Sequence, residues 1–81
     1  MIQVINRALN ILEFVSKDRE REFFLSEIAN SLSLNTSTCA NIIKTLVNRG
    51  YLEQQEKKQG YKLGAKAYYL TGNYSKKKEL M

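Results

Sequence analysis

The 81-residue sequence has no histidine, no proline, no tryptophan and a single cysteine. Without histidine the commonest general base is missing, and so are the His/Cys sets that hold structural metals. One cysteine excludes a disulfide framework within the chain. No cofactor or metal is implied. An enzyme built on a serine, a threonine or Cys39 would have no histidine to activate its nucleophile, so the chain is not read as an enzyme. Cys39, between Thr38 and Ala40 in an amphipathic stretch, is expected as a small buried hydrophobe rather than a reactive thiol. The most apolar stretch, the first fifteen residues, is broken by Asn6, Arg7, Asn10 and Glu13, which fits neither a signal peptide nor a membrane span and leads to the expectation of a cytoplasmic protein. With 43% apolar residues the chain has material for one small domain and a single modest core.

The charge is unevenly placed. Of the net +5, the residues before Asn35 contribute −1 and those from Asn35 onward +6. A balanced first half and a basic second half is the arrangement of a nucleic-acid face. Ordinary solubilising charge is the bland alternative, since Lys76, Lys77 and Lys78 belong to the terminal segment.

Apolar residues at Ile5, Ala8, Leu9, Leu12 and Val15 have the three-and-four spacing of a helix with one buried stripe, predicting a helix over Val4 to Ser16. Ile11 and Phe14 fall beside that stripe. Phe14 either tucks under another element of the same fold or marks a contact with a second copy, and the sequence leaves both open. Lys17 to Glu22 alternates in sign and is expected to be a solvated connector. Phe23 to Leu25 suits a short strand, Ser26 the N-cap of a second helix running to about Leu32, and Glu27 its first turn. Ser33 and Leu34 form a turn. Asn35 then caps a third helix that runs to about Arg49, with Cys39, Ile42, Ile43, Leu46 and Val47 inward, until Gly50 stops it. Tyr51 to Gln55 and Tyr61 to Leu63 suit two short strands around a polar tip, Glu56 to Gly60. Ala65 to Thr71 suits one or two helical turns.

This order predicts a mainly α fold with a small β-hairpin: a winged helix-turn-helix of three helices, a two-stranded wing and a short extra strand before the second helix. Residues 1–72 form the domain, and 73–81 the start of a linker or a disordered tail. Two helices joined by so tight a turn must touch near it, which calls for a small residue, and Ala29 supplies one. Ile28, Leu32, Leu34, Cys39 and Ile42 lock the pair. Thr36, Ser37, Ala40, Asn41 and Lys44 then face outward, short, polar or positive, as a groove floor requires. Hydroxyls and amides at a helix N-terminus bind phosphate, Asn41 has the donor and acceptor for an adenine edge, and Lys44 reaches guanine or phosphate.

The segments RALNIL at Arg7 to Leu12, LSEIA at Leu25 to Ala29, TLVNRGYL at Thr45 to Leu52 and YKLG at Tyr61 to Gly64 resemble the N-terminal DNA-binding domain of the IclR family of bacterial transcription regulators. The likeness covers Ile5 to about Leu70. It implies a recognition helix opening at Asn35 to Thr38 and a wing at Glu56 to Gly60. Two departures stand out. Thr36 and Asn41 occupy positions where the family commonly has a basic residue and a second arginine, and Ser33 stands where a glycine is common in the turn.

The expected function is therefore sequence-specific binding of double-stranded DNA by a transcription regulator, on an inverted repeat. The expected contacts are Ser26, Asn35, Thr36, Ser37, Thr38, Ala40, Asn41 and Lys44 from the helices, and Lys57, Lys58, Tyr61 and Lys62 from the wing. A homodimer is expected through Ile11 and Phe14 of the first helix. The family's C-terminal effector-binding domain has no counterpart in these residues, so a small-molecule effector enters only if such a domain exists. The alternative is a winged-helix protein-protein interaction module that does not bind DNA.

Overall fold

A computed structural model of the protein describes residues 1–56 and 59–70. Three helices, α1 (Gln3–Val15), α2 (Leu25–Ser31) and α3 (Thr36–Asn48), precede an antiparallel pair, β1 (Leu52–Glu53) and β2 (Lys62–Leu63), in which Leu52 faces Leu63 and Glu53 faces Lys62. Residues 65–70 add a helical stretch. The winged helix-turn-helix order expected from the sequence is present, with strands shorter than the apolar runs that proposed them. The extra strand at Phe23 to Leu25 is reduced to one bridge, in which Phe23 and Tyr61 exchange backbone N–H···O bonds of 2.9 and 2.8 Å. The expected tail at 73–81, and the last two residues of the expected domain, lie outside the described residues.

The core joins every element: Ile11 and Val15 from α1, Phe23 from the bridge, Ile28 and Ala29 from α2, Cys39, Ile42 and Ile43 from α3, and Leu52 from β1. Each such large aliphatic contributes about 1.5–3 kcal/mol over leaving it in water. The stripe of α1 is met in part: Val15 is buried and Ala8 and Leu12 pack half-buried against the core, as expected. Ile11 is fully buried, whereas Ile5 and Leu9 are 54% and 51% exposed. Apolar residues cover more than one face of α1, so spacing alone allowed two phases. Packing on the shared core buries Ile11 and Val15, with Phe14 set against Phe23. Phe14 is half-buried against Phe23, ring centroids 5.2 Å apart and edge to face, so it makes the contact inside the fold that was the first of its two open readings.

The helix ends explain the turn. Ser33 and Gly50 are the two described residues with positive φ outside the usual regions, at 55° and 86°. After α2, Leu34 N–H donates to Ala29 C=O at 2.8 Å and Ser33 N–H to Asn30 C=O at 3.3 Å. After α3, Tyr51 N–H donates to Leu46 C=O at 2.9 Å and Gly50 N–H to Val47 C=O at 3.0 Å. Both patterns are Schellman closures, in which a left-handed residue lets the chain satisfy the last helical carbonyls. Ala29, buried at the tight turn, matches the small residue that the geometry requires.

The start of α2 corrects another expectation. Phe24, not Ser26, is the N-cap, and Ser26 lies within the first turn, exposed. Glu27 does the capping instead: its carboxylate accepts from Phe24 N–H at 3.4 Å and from Arg21 at 3.1 and 2.5 Å. Lys17 to Glu22 is therefore more than a connector. Arg21 lies 3.8 Å over the Phe23 ring and Lys17 lies 5.2 Å over Phe14, so each ring of the pair carries a cation.

Candidate nucleic-acid interface

The opening of α3 is fixed by Asn35. Its side-chain oxygen accepts the Ser37 N–H at 2.9 Å, the Ser37 hydroxyl at 2.7 Å and, more weakly, the Thr38 N–H at 3.5 Å, as an N-cap should. The sequence expectation of a cap at Asn35 holds. One consequence was not legible in the sequence: two amides and one hydroxyl of this terminus are already engaged. Among the described residues the Thr36 N–H has no internal partner, which leaves it open to an anion.

Beyond the cap, Cys39, Ile42 and Ile43 bury one side of α3, while Leu46 and Val47 are half-buried beside them. The opposite side is open. Thr36, Ser37, Asn41 and Lys44 are exposed, and Thr38 and Ala40 are half-buried at the edges of that face. Thr45 and Asn48 are exposed as well. Sequence reasoning missed these two, although helical spacing from Ser37 through Asn41 and Lys44 leads directly to Asn48. Burial pushes the Cys39 thiol above its ordinary pKa, so it is a packed, protonated side chain.

The wing is tied down at its base. Gly60 N–H donates to the Glu22 carboxylate at 3.2 Å, and a Cβ on Gly60 would lie 2.6 Å from Glu22 Cβ, so no larger residue fits there without movement. Gln54 Nε2 donates to Gln59 C=O at 2.5 Å across the hairpin. Tyr61 and Lys62 are half-buried, and Lys62 pairs with Glu53 in register. Lys57 and Lys58, the expected backbone grip, lie outside the described residues. Ser26, on α2, is exposed one element away from the α3 stripe.

On the other flank of α3 runs a groove of about 610 Å³, lined by Val4, Ile5 and Leu9 of α1, by Asn41, Thr45 and Leu46 of α3, and by Leu70. The homodimer contact expected at Ile11 is not available, because Ile11 is wholly buried. The apolar residues that α1 does expose are Val4, Ile5 and Leu9.

A cap, a tight turn, a projecting helix and a tethered hairpin have their counterpart in known proteins. The sequence matches the IclR helix-turn-helix domain over residues 4–56. The chain belongs to the IclR family. This IclR domain is 37% identical over 73 residues to the glycerol operon regulatory protein of Streptomyces coelicolor, covering 90% of this chain and 28% of that protein. It is 33% identical over 66 residues to the HTH-type transcriptional regulator XynR of Escherichia coli, covering 82% of this chain and 26% of that protein. An IclR family transcriptional regulator from Brucella abortus superposes with a TM-score of 0.80 at 26% identity, over 90% of this chain and 28% of that one. An IclR regulator from Alicyclobacillus acidocaldarius shares the fold, with a TM-score of 0.82 at 24% identity, over 91% of this chain and 30% of that one. The chain spans less than a third of the length of the curated relatives it matches. Those relatives are transcription regulators, not enzymes.

Among the described residues no helix is long and apolar enough to cross a membrane, and no group of acidic, histidine or cysteine residues could hold a metal ion.

Proposed function

We propose that this IclR domain binds double-stranded DNA in a sequence-specific manner, with α3 in the major groove and the hairpin on the adjacent backbone, as the DNA-reading part of a transcription regulator. The observation that carries the reading is the exposed polar face of α3: Ser37, Asn41 and Lys44 lie outward on a helix seated by Cys39, Ile42 and Ile43. Asn41 offers base edges an amide that has no partner among the described residues. Lys44 has no ion pair among the described residues and is free for guanine or phosphate. Thr36 N–H and the helix dipole favour a phosphate, and Lys57, Lys58 and Lys62 supply the sequence-independent grip of the wing. Ser37 contributes mainly acceptor capacity, because its proton is committed to Asn35.

The domain acts as a homodimer on an inverted repeat, and the exposed flank of Val4, Ile5 and Leu9 is the surface that joins the copies. A self-complementary apolar patch closes a two-fold dimer without exposing a new edge. The binding test is a gel shift with random duplex at low salt, followed by selection from a DNA library. A selected motif with two-fold symmetry supports the reading. No shift at any soluble protein concentration overturns it and leaves the fold as a protein-interaction module.

A further inference from the structure

The outward stripe of α3 contains two asparagines, Asn41 and Asn48, seven positions apart. Both are exposed, and neither side-chain amide has a recorded partner among the described residues. Seven positions are nearly two helical turns, so the two amides share one face and are separated by about 10 Å along the helix axis. Lys44 lies between them, exposed, and no arginine shares the stripe.

An asparagine amide meets adenine with two hydrogen bonds at once, donating to N7 and accepting from the N6 amino group. A guanine presents acceptors at both positions, so one of the two bonds is lost and an acceptor faces an acceptor. Laid along the duplex axis, a run of about 10 Å corresponds to about three base-pair steps. We infer that α3 reads two A·T pairs roughly three base pairs apart in each half-site, one through Asn41 and the other through Asn48. Lys44 contacts the intervening phosphate or guanine. The inference rests on the DNA-binding reading and adds to it a second reading residue and a base preference.

The test is a cycle of protein and DNA variants. The wild-type chain, Asn41→Ala, Asn48→Ala and Asn48→Gln are each measured by fluorescence anisotropy against the selected duplex and against duplexes with single A·T to G·C exchanges. For the wild type, exchange at either of two positions three pairs apart should weaken binding roughly five-fold or more, the lower end of what a bidentate base contact supplies. Asn48→Ala should erase the preference at one of those positions and leave the other intact, and Asn41→Ala should do the converse. Asn48→Gln, which keeps the amide, should retain part of the preference. Circular dichroism establishes that each variant melts as the wild type does, as expected for exposed residues. If Asn48→Ala weakens all duplexes equally, or changes none, the second reading residue is refuted while DNA binding stands. If the wild type binds no duplex, the DNA-binding reading itself fails and takes this inference with it.

Discussion

Ser33 and Gly50 do the same backbone work at the ends of successive helices, with φ of 55° and 86°. Only one of them is a glycine. A side chain in the left-handed region costs roughly 1–2 kcal/mol, and glycine escapes that cost but has more freedom to lose on folding. Ser33→Gly should therefore stabilise the domain by about 0.5–1 kcal/mol. Thermal unfolding reads this as a rise of about 4–8 °C per kcal/mol for a domain of this size. Gly50→Ala should destabilise by at least about 1 kcal/mol, since it adds left-handed strain to a Cβ that would sit 3.0 Å from Lys66 Cγ. Equal melting temperatures for wild type and Ser33→Gly would show that the strain at Ser33 does not exceed the freedom a glycine loses there.

The Asn35 cap separates stability from binding. Asn35→Ala removes the acceptor for Ser37 and Thr38 and should cost about 1 kcal/mol of stability. Asn35→Asp keeps that acceptor and places a negative charge at the positive end of α3, so the melting temperature should hold or rise. The same charge repels phosphate, so duplex affinity should fall. Parallel melting and anisotropy measurements check the split, and an Asp variant that binds DNA as the wild type does would remove phosphate from the α3 terminus.

Acid should release the strut between Arg21 and Glu27. The hydrogen bonds from Arg21 hold the Glu27 carboxyl below its usual 4.5, and the carboxylate in turn raises the Arg21 pKa. A depressed carboxylate pKa gives stability that is present above the unfolded value and is lost as pH falls through the folded one. Glu27→Gln should therefore flatten the stability curve below about pH 4.5 and leave its neutral limb with nearly the same slope. The pair is solvent-exposed, so the change is small. Urea unfolding at a series of pH values resolves it.

Much of this architecture was legible from side-chain chemistry acting locally. Asn35 before a polar helix start, Gly50 after an amphipathic run and Ala29 at the tight turn each announce their role, because capping, left-handed backbone and close packing admit few residue types. The phase of α1 was legible only in part: Val15 was found, but Ile5 and Leu9 satisfy helical spacing as well as Ile11 does, and the packing of the other elements in space chooses between them. Ser26 misled for a related reason. Serine is a good cap, but here the paired Glu27 carboxylate reaches back to Phe24 N–H and moves the helix start forward. On the candidate site, the outward stripe was found as far as Lys44. Asn48, the last residue of α3, lies two turns beyond the polar N-terminal cluster that marks the face in sequence.

Cys39 is fully buried and its thiol is pushed toward the protonated form by desolvation. Iodoacetamide should leave it unmodified in the native protein and alkylate it fully in denaturant, as mass spectrometry would record. Cys39→Ser should destabilise by about 1–3 kcal/mol if the buried hydroxyl finds no partner. Rapid native alkylation would place the side chain on the surface and shift the whole inward face of α3.

The free outer face of α3 is tested most directly by backbone amide chemical shifts recorded while the protein is titrated with a selected duplex. The largest changes should fall on Thr36, Ser37, Asn41, Lys44 and Asn48, with smaller ones at Tyr61 and Lys62. Saturable duplex binding that leaves these amides unmoved, with changes confined to Val4, Ile5 and Leu9, would contradict the assignment of α3 as the DNA-reading element.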